Sequence, residues 1–158
     1  MGSGKTYQGT RLAKRLGVPF VDLDERIETH EGRTIPKIFE QQGEAAFRRL
    51  ERRYLHELEH EAPCVVATGG GTPCFFDNMD WMNAHGITVF LKTPVPVLAA
   101  RLRADPGVRP LLANVPEDQL ENYIARLLEQ RAPYYLMAKA IAESVDLVRV
   151  EELERLLA

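Results

Sequence analysis

The sequence predicts a doubly wound α/β fold, in which three layers place helices on both faces of a mostly parallel sheet. Helix patterns and strand patterns alternate along the chain, as in folds of this class. The run over residues 64–67 is continuously apolar, which is typical of a strand buried on both faces. The glycine-rich segment at residues 2–6 leads directly into a helix pattern. At 158 residues, the chain is expected to form one domain over residues 1–158.

The first half of the chain contains two predicted helix and strand pairs. They are a helix over residues 6–16, a strand over 19–21, a helix over 36–61 that breaks near Gly43, and a strand over 64–67. Gly17 and Pro19 end the first helix, since neither residue favours its continuation. Apolar side chains three and four positions apart give the long helix one packing face.

The second half continues the alternation but contains one irregular segment. The predicted elements are helices over residues 77–85, 94–104 and 151–157, a helix opening at Pro116, and strands over 87–91 and 138–142. Pro106, Gly107 and Pro110 interrupt the periodicity before Pro116. We therefore expect a mobile lid over about residues 103–116, carrying Arg109.

Composition limits the classes of partner. The formal net charge is -3, and acidic and basic residues are interspersed, so no basic stripe is available for nucleic acid or an anionic membrane. The apolar runs are far shorter than the ~20 residues of a membrane span. We expect a cytoplasmic protein that acts on small molecules, is a monomer, and keeps Cys64 and Cys74 as reduced thiols without a function.

The segment GSGKT predicts a phosphate-binding loop. Gly2 and Gly4 permit backbone geometries that turn N–H groups inward around Ser3, Lys5 supplies a mobile positive charge, and Thr6 offers a hydroxyl to Mg²⁺. The implied ligand is a nucleoside triphosphate. The alternative is an ordinary glycine turn, which the following helix and the α/β alternation disfavour.

Asp22 and Asp24 lie at the carboxyl end of a predicted strand, where open α/β sheets bind ligands. Two carboxylates there can orient a hydroxyl nucleophile and help to hold hydrated Mg²⁺. The alternative is a polar strand end in which Asp24 caps the helix that follows it.

Arginines in two predicted helices are candidates for binding an acidic acceptor. Glu51 lies three residues after Arg48, so it can hold that guanidinium by an ion pair, and Arg131 is a second candidate. A solvated basic face is the alternative for both. The three glycines Gly69, Gly70 and Gly71 would let backbone N–H groups approach a ligand oxygen, or would simply form a flexible connection.

Residues 56–60 match the HExxH pattern of zinc hydrolases. On the predicted helix, His56 and His60 point toward solvent, away from the apolar face. His85 is the only later histidine in the sequence. We therefore favour a charged surface turn over a zinc site.

Taken together, these motifs resemble shikimate kinase over nearly the whole chain. The matching segments are GSGKT, FVDLD with Ile27-Glu28, GRTI leading to Phe39, Gly43-Glu44, Phe47-Arg48 with Glu51, the triple glycine, RPLL at residues 109–112 and RAPY at 131–134.

The resemblance implies a P-loop kinase that transfers the γ-phosphoryl group of ATP to the 3-hydroxyl of shikimate, on the route to chorismate and the aromatic amino acids. It assigns Asp24 to the hydroxyl, Arg48, Arg131 and the glycines Gly69, Gly70 and Gly71 to shikimate, Thr6 and Asp22 to Mg²⁺, Lys5 and Arg109 to phosphate charge, and Arg101 or Arg103 to adenine. These roles suit phosphoryl transfer, which depends on positioning and electrostatic stabilisation.

One expectation concerns what the chain lacks relative to this family. Members begin with a central strand and an earlier loop glycine, so we expect Met1 to be an internal methionine and the true start to lie upstream.

The alternatives to shikimate kinase are another small-metabolite kinase, such as a gluconate kinase, and a noncatalytic nucleotide-binding module.

Overall fold

The computed structural model describes residues 2–104, 112, 114–143 and 149–157. Within them the helices are α1 (Lys5–Leu16), α2 (Leu23–Glu31), α3 (Ile35–Glu57), α4 (Asn78–His85), α5 (Val95–Ala104), α6 (Leu120–Tyr135) and α7 (Val150–Leu157). The strands are β1 (Phe20–Asp22), β2 (Val65–Ala67), β3 (Val89–Lys92) and β4 (Ala140–Glu143).

The strands form two parallel pairs. β1 pairs with β2, with Val21 opposite Val66, and β3 pairs with β4, with Phe90 opposite Ile141. Helices connect the paired strands, as parallel pairing requires. The predicted α/β class with parallel strands is therefore confirmed. A cavity of about 1330 Å³ lies between the two pairs and reaches Lys5 and Gly70.

Element boundaries follow the glycines and prolines that the sequence displays. Gly17 ends α1 in the left-handed region at φ 69°, as the sequence predicts. Gly43 has φ 77° and ψ 173° inside α3 and kinks it, which confirms the predicted break. Strand β3 begins two residues later than predicted, because Ile87 is exposed and lies outside the ladder.

Three groups of buried side chains hold the helices together. The largest joins α2 to α3 through Leu23, Ile27, Ile38, Phe47, Tyr54 and Leu55. A second packs α5 on α6 through Leu98, Ala99, Leu102, Leu120 and Ile124. A third brings α1, β4 and α7 together through Leu12, Ala142 and Leu153. The first group fixes the position of α3, which carries the candidate arginine.

Among the described residues, no helix combines the length and apolar character needed to cross a membrane. Arg109 and most of the predicted lid lie outside the described residues.

Candidate active site

The phosphate loop begins α1. Gly2 and Gly4 have φ 67° and 82°, in the left-handed region that glycine adopts without a Cβ penalty. Gly4 is the N-cap of α1, so the first-turn N–H groups and the positive end of the helix dipole face the loop. This is the backbone arrangement that binds phosphate in proteins.

Asp22 joins the loop to the end of β1. The Thr6 hydroxyl donates to Asp22 Oδ2 at 2.9 Å, and Asp22 Oδ1 accepts from the backbone N–H groups of Asp24 and Glu25 at 3.1 and 3.4 Å. Asp22 is therefore the N-cap of α2. The alternative that Asp24 caps this helix is wrong, because Asp24 lies one residue inside it.

Asp24 lies in the first turn of α2 and has a perturbed acidity. Burial, followed by the nearby carboxylates of Glu51 and Asp22, raises its pKa to about 6, and Lys5 opposes the rise. A pKa near neutrality is the value expected of a carboxyl group that exchanges protons at physiological pH.

Arg48 is buried on α3, with 4 % of its surface exposed. Its Nη1 donates to Glu51 Oε2 at 2.5 Å, and its Nε and Nη2 donate to Glu44 Oε1 at 3.1 and 2.9 Å. Although burial disfavours the charge, these two carboxylates hold the pKa of Arg48 above its ordinary value. The predicted ion pair is confirmed, and the alternative of a solvated basic face is wrong for this arginine.

Thr72 and Asn78 extend this buried network, and the sequence analysis missed both. The Thr72 hydroxyl donates to Glu51 Oε1 at 2.6 Å, and Asn78 Nδ2 donates to the Thr72 carbonyl at 2.8 Å. Thr72, Asn78 and Glu51 are each at most 1 % exposed. The only available signal was that a polar residue directly follows the triple glycine.

Two of the three glycines, Gly69 and Gly71, are required by closely approaching charged side chains. A Cβ on Gly71 would lie 2.5 Å from Arg48 Nη1. A Cβ on Gly69 would lie 2.8 Å from Glu51 Oε1 and 3.2 Å from Asp24 Oδ1. The loop therefore passes directly over these groups, which the alternative of a merely flexible connection does not explain.

Arg131 on α6 lies near the glycine loop and Arg48, although it is distant from both in the sequence. It is 8 % exposed. Burial raises the pKa of the Cys74 thiol, and both Arg131 and Arg48 oppose that rise. The same two guanidinium groups oppose the burial-driven rise in the pKa of Tyr135. The two arginines therefore lie beside common neighbours, next to the glycine loop.

The two histidines of the HExxH segment differ, because His60 is exposed as predicted and His56 is not. His56 does not point toward solvent: its ring stacks on Trp81 at 4.7 Å, and its Nε2 is buried. Helix α3 ends at Glu57, and His60 follows in a short 3-10 helix, so the one-turn spacing of two ligands is lost. Among the described residues, no group of three or more His, Cys, Asp and Glu side chains is placed to hold a metal ion.

The two candidate adenine arginines lie in different places. Arg101 Nη1 donates to the Gly2 carbonyl of the phosphate loop at 3.1 Å. Arg103 instead pairs with Glu121 at 3.3 Å. Arg101 is thus the one in contact with the loop.

A parallel α/β scaffold with a glycine-rich phosphate loop and a basic pocket beside it is the arrangement of P-loop phosphotransferases. The shikimate kinase family model matches residues 1–155. The chain therefore belongs to the shikimate kinase family.

Individual relatives agree with the family match. A shikimate kinase of Bacteroides fragilis is 47% identical over 141 residues, covering 89% of this chain and 79% of the relative. One from Ruegeria pomeroyi is 41% identical over 154 residues, covering 97% and 76%. The gluconate kinase alternative receives no support from these matches.

Solved structures show the same fold. The crystal structure of shikimate kinase from Bacteroides thetaiotaomicron has a TM-score of 0.93 at 43% identity, covering 99% of this chain and 93% of that one. Shikimate kinase from Acinetobacter baumannii in complex with shikimate has a TM-score of 0.87 at 38% identity, covering 98% and 84%.

Proposed function

We propose that this protein transfers the γ-phosphoryl group of ATP to the 3-hydroxyl of shikimate, producing shikimate 3-phosphate and ADP. Family membership supports the reaction class. One observation within the chain carries the acceptor assignment: two buried guanidinium groups, Arg48 and Arg131, lie beside common neighbours at the glycine loop, and the same loop passes Asp24 at Gly69. Arginine is the side chain best suited to bind a planar carboxylate.

The donor half of the site uses the start of α1. Gly2, Ser3 and Gly4 supply backbone N–H groups for the triphosphate, and Lys5 places its ammonium group on the phosphates. Arg109, outside the described residues, is proposed to add a further positive charge. These cations stabilise the charge that develops on the transferred phosphoryl oxygens.

Mg²⁺ is part of the same proposal. The Thr6 hydroxyl and the Asp22 carboxylate lie 2.9 Å apart beside the loop, and they are hard oxygen donors of the kind that Mg²⁺ prefers. In this scheme Thr6 binds the ion and Asp22 holds its water shell. The bound ion would neutralise charge on the phosphates.

The acceptor half uses the buried network around α3. Glu51 and Glu44 fix the Arg48 guanidinium. Arg131, on α6, binds the carboxylate of the acceptor. The glycines Gly69, Gly70 and Gly71 contribute backbone contacts to the acceptor. Asp24 orients the acceptor hydroxyl and takes its proton, a role suited to a carboxyl group with a pKa of about 6. We also propose that the protein is a single-domain, cytoplasmic monomer.

A coupled ADP-release assay tests this function. ADP release should depend on shikimate, and phosphorus NMR should identify the 3-phosphate. Lys5→Ala should abolish turnover, whereas Lys14→Ala, an exposed lysine at the end of α1, should retain it. Turnover with gluconate and not shikimate would contradict the substrate, and no turnover with either acceptor would favour a noncatalytic nucleotide-binding module.

A further inference from the structure

Tyr135 links two parts of the acceptor site that are distant in sequence. It is the last residue of α6, and its hydroxyl donates to the Gly70 carbonyl at 2.5 Å. Its ring packs against Phe90 of β3, with the ring centroids 5.0 Å apart. The side chain is therefore held at both its ring and its hydroxyl.

With the bond from Tyr135, all three carbonyl groups of the glycine loop accept a hydrogen bond. The Gly69 carbonyl accepts from the Thr72 N–H at 3.2 Å, and the Gly71 carbonyl accepts from the Cys74 N–H at 2.9 Å. The carbonyl between them is the one that Tyr135 binds. Because a trans peptide is planar, fixing the Gly70 carbonyl also fixes the direction of the Gly71 N–H.

Arg131 lies one helical turn before Tyr135, on the same face of α6. It is close enough to oppose the burial-driven rise in the pKa of the Tyr135 hydroxyl. The Tyr135 hydroxyl thus lies between the buried guanidinium of Arg131 and the backbone of the glycine loop, which has no side chains. Glycine pays the largest entropic cost on ordering, so an external contact has a large effect on such a loop.

We propose that Tyr135 is a positioning residue for the acceptor, and that its hydroxyl ties the Gly70 peptide to the helix that carries Arg131. The loop and the guanidinium then meet the acceptor as one rigid unit. This inference rests on the proposed function, since it assumes that these two groups bind shikimate. It concerns acceptor affinity and leaves the nucleotide half of the site unaffected.

Tyr135→Phe removes only the hydroxyl and keeps the ring packing on Phe90. Tyr134→Phe is the matched control, because Tyr134 is the neighbouring residue and is 38% exposed. The dissociation constants of shikimate and of ATP are measured by calorimetry, and KM and kcat by the coupled assay. Tyr135→Phe should weaken shikimate binding by ~5- to 20-fold and leave the ATP affinity within about twofold.

A second measurement separates positioning from general damage. In a double-mutant cycle, Tyr135→Phe and Arg131→Lys should cost less together than the sum of their separate effects on shikimate affinity, because both disturb one unit. Unchanged shikimate affinity in Tyr135→Phe, equal losses for shikimate and ATP, or strict additivity would each overturn the proposal. Absence of shikimate binding and turnover in the wild-type protein would instead refute the proposed function.

Discussion

Arg48 occupies the space into which a side chain at Gly71 would project. An added Cβ would lie 2.5 Å from Nη1 and 2.6 Å from Nη2 of the guanidinium. The guanidinium cannot easily move away, because its Cζ lies 4.3 Å from the centroid of the Phe75 ring and its nitrogens are hydrogen-bonded to Glu51 and Glu44. Arg48 can therefore occupy this position only because Gly71 has no side chain.

Gly71→Ala should displace Arg48 or the loop and weaken acceptor binding. We expect the KM for shikimate to rise by about tenfold or more, since overpacking a buried site costs ~1–3 kcal/mol. Gly86→Ala is the control, because its added Cβ would lie 3.8 Å from the nearest atom. Equal kinetics in the two variants would contradict the account of this glycine.

Thr72→Val should loosen the brace behind Arg48. The substitution keeps the shape but removes the hydroxyl that donates to Glu51, leaving a buried carboxylate with one donor fewer. We expect a loss of ~1–2 kcal/mol in the free energy of unfolding, measured by urea denaturation. Thr72→Ser keeps the hydroxyl and should recover most of the lost stability. If Thr72→Ser were as unstable as Thr72→Val, the methyl group and not the hydroxyl would account for the loss.

The pH dependence of kcat/KM for shikimate should report the ionisation of Asp24 in the free enzyme. A base with a pKa of about 6 is protonated below that pH, so kcat/KM should fall as the pH drops through 6. Glu51→Gln removes a neighbouring negative charge and should move this acidic limb to lower pH. A kcat/KM that stays constant down to pH 5, or a limb unmoved by Glu51→Gln, would argue against Asp24 as the base.

The same carboxyl group should destabilise the fold at neutral pH. Its folded pKa of about 6 lies above the ordinary value of 3.8 for an aspartate, so the wild-type protein loses stability as the pH rises from about 4 to 6. Asp24→Asn should therefore raise the free energy of unfolding by ~2 kcal/mol at pH 7.5 while abolishing turnover.

The gain should disappear below pH 4, where the wild-type carboxyl is also neutral. Glu40→Gln, which changes an exposed carboxylate, should leave the stability nearly unchanged at both pH values. A loss of stability in Asp24→Asn at pH 7.5 would show that the charged form is favoured in the folded protein.

The sequence allowed much of the fold to be predicted because its signals were local. Glycines marked the end of α1 and the kink in α3, and continuous apolar runs marked the positions of β2 and β3. The expected burial of the run over residues 64–67 on both faces was wrong, because most residues of β2 are only half-buried. The arginine and glutamate spacing on α3 also predicted a real ion pair, since residues three apart on a helix are neighbours.

The contacts missed by sequence reasoning are those between distant segments. The Tyr135 hydroxyl reaches a carbonyl 65 residues away, and the Thr72 hydroxyl reaches Glu51 across 21 residues. No periodicity encodes such contacts, because they depend on how α3 and α6 pack around the glycine loop. The stacking of His56 on Trp81 was missed for the same reason.

The most direct test of the central claim compares shikimate with its methyl ester, which lacks the negative charge, as substrates for two proteins. The wild-type protein should favour shikimate by ~10- to 100-fold in kcat/KM, because a charge-assisted pair is lost with the ester. Arg48→Ala should reduce this preference to within about threefold, whereas Arg49→Ala, at an exposed neighbouring position, should keep it. An undiminished preference in Arg48→Ala would show that Arg48 does not bind the carboxylate.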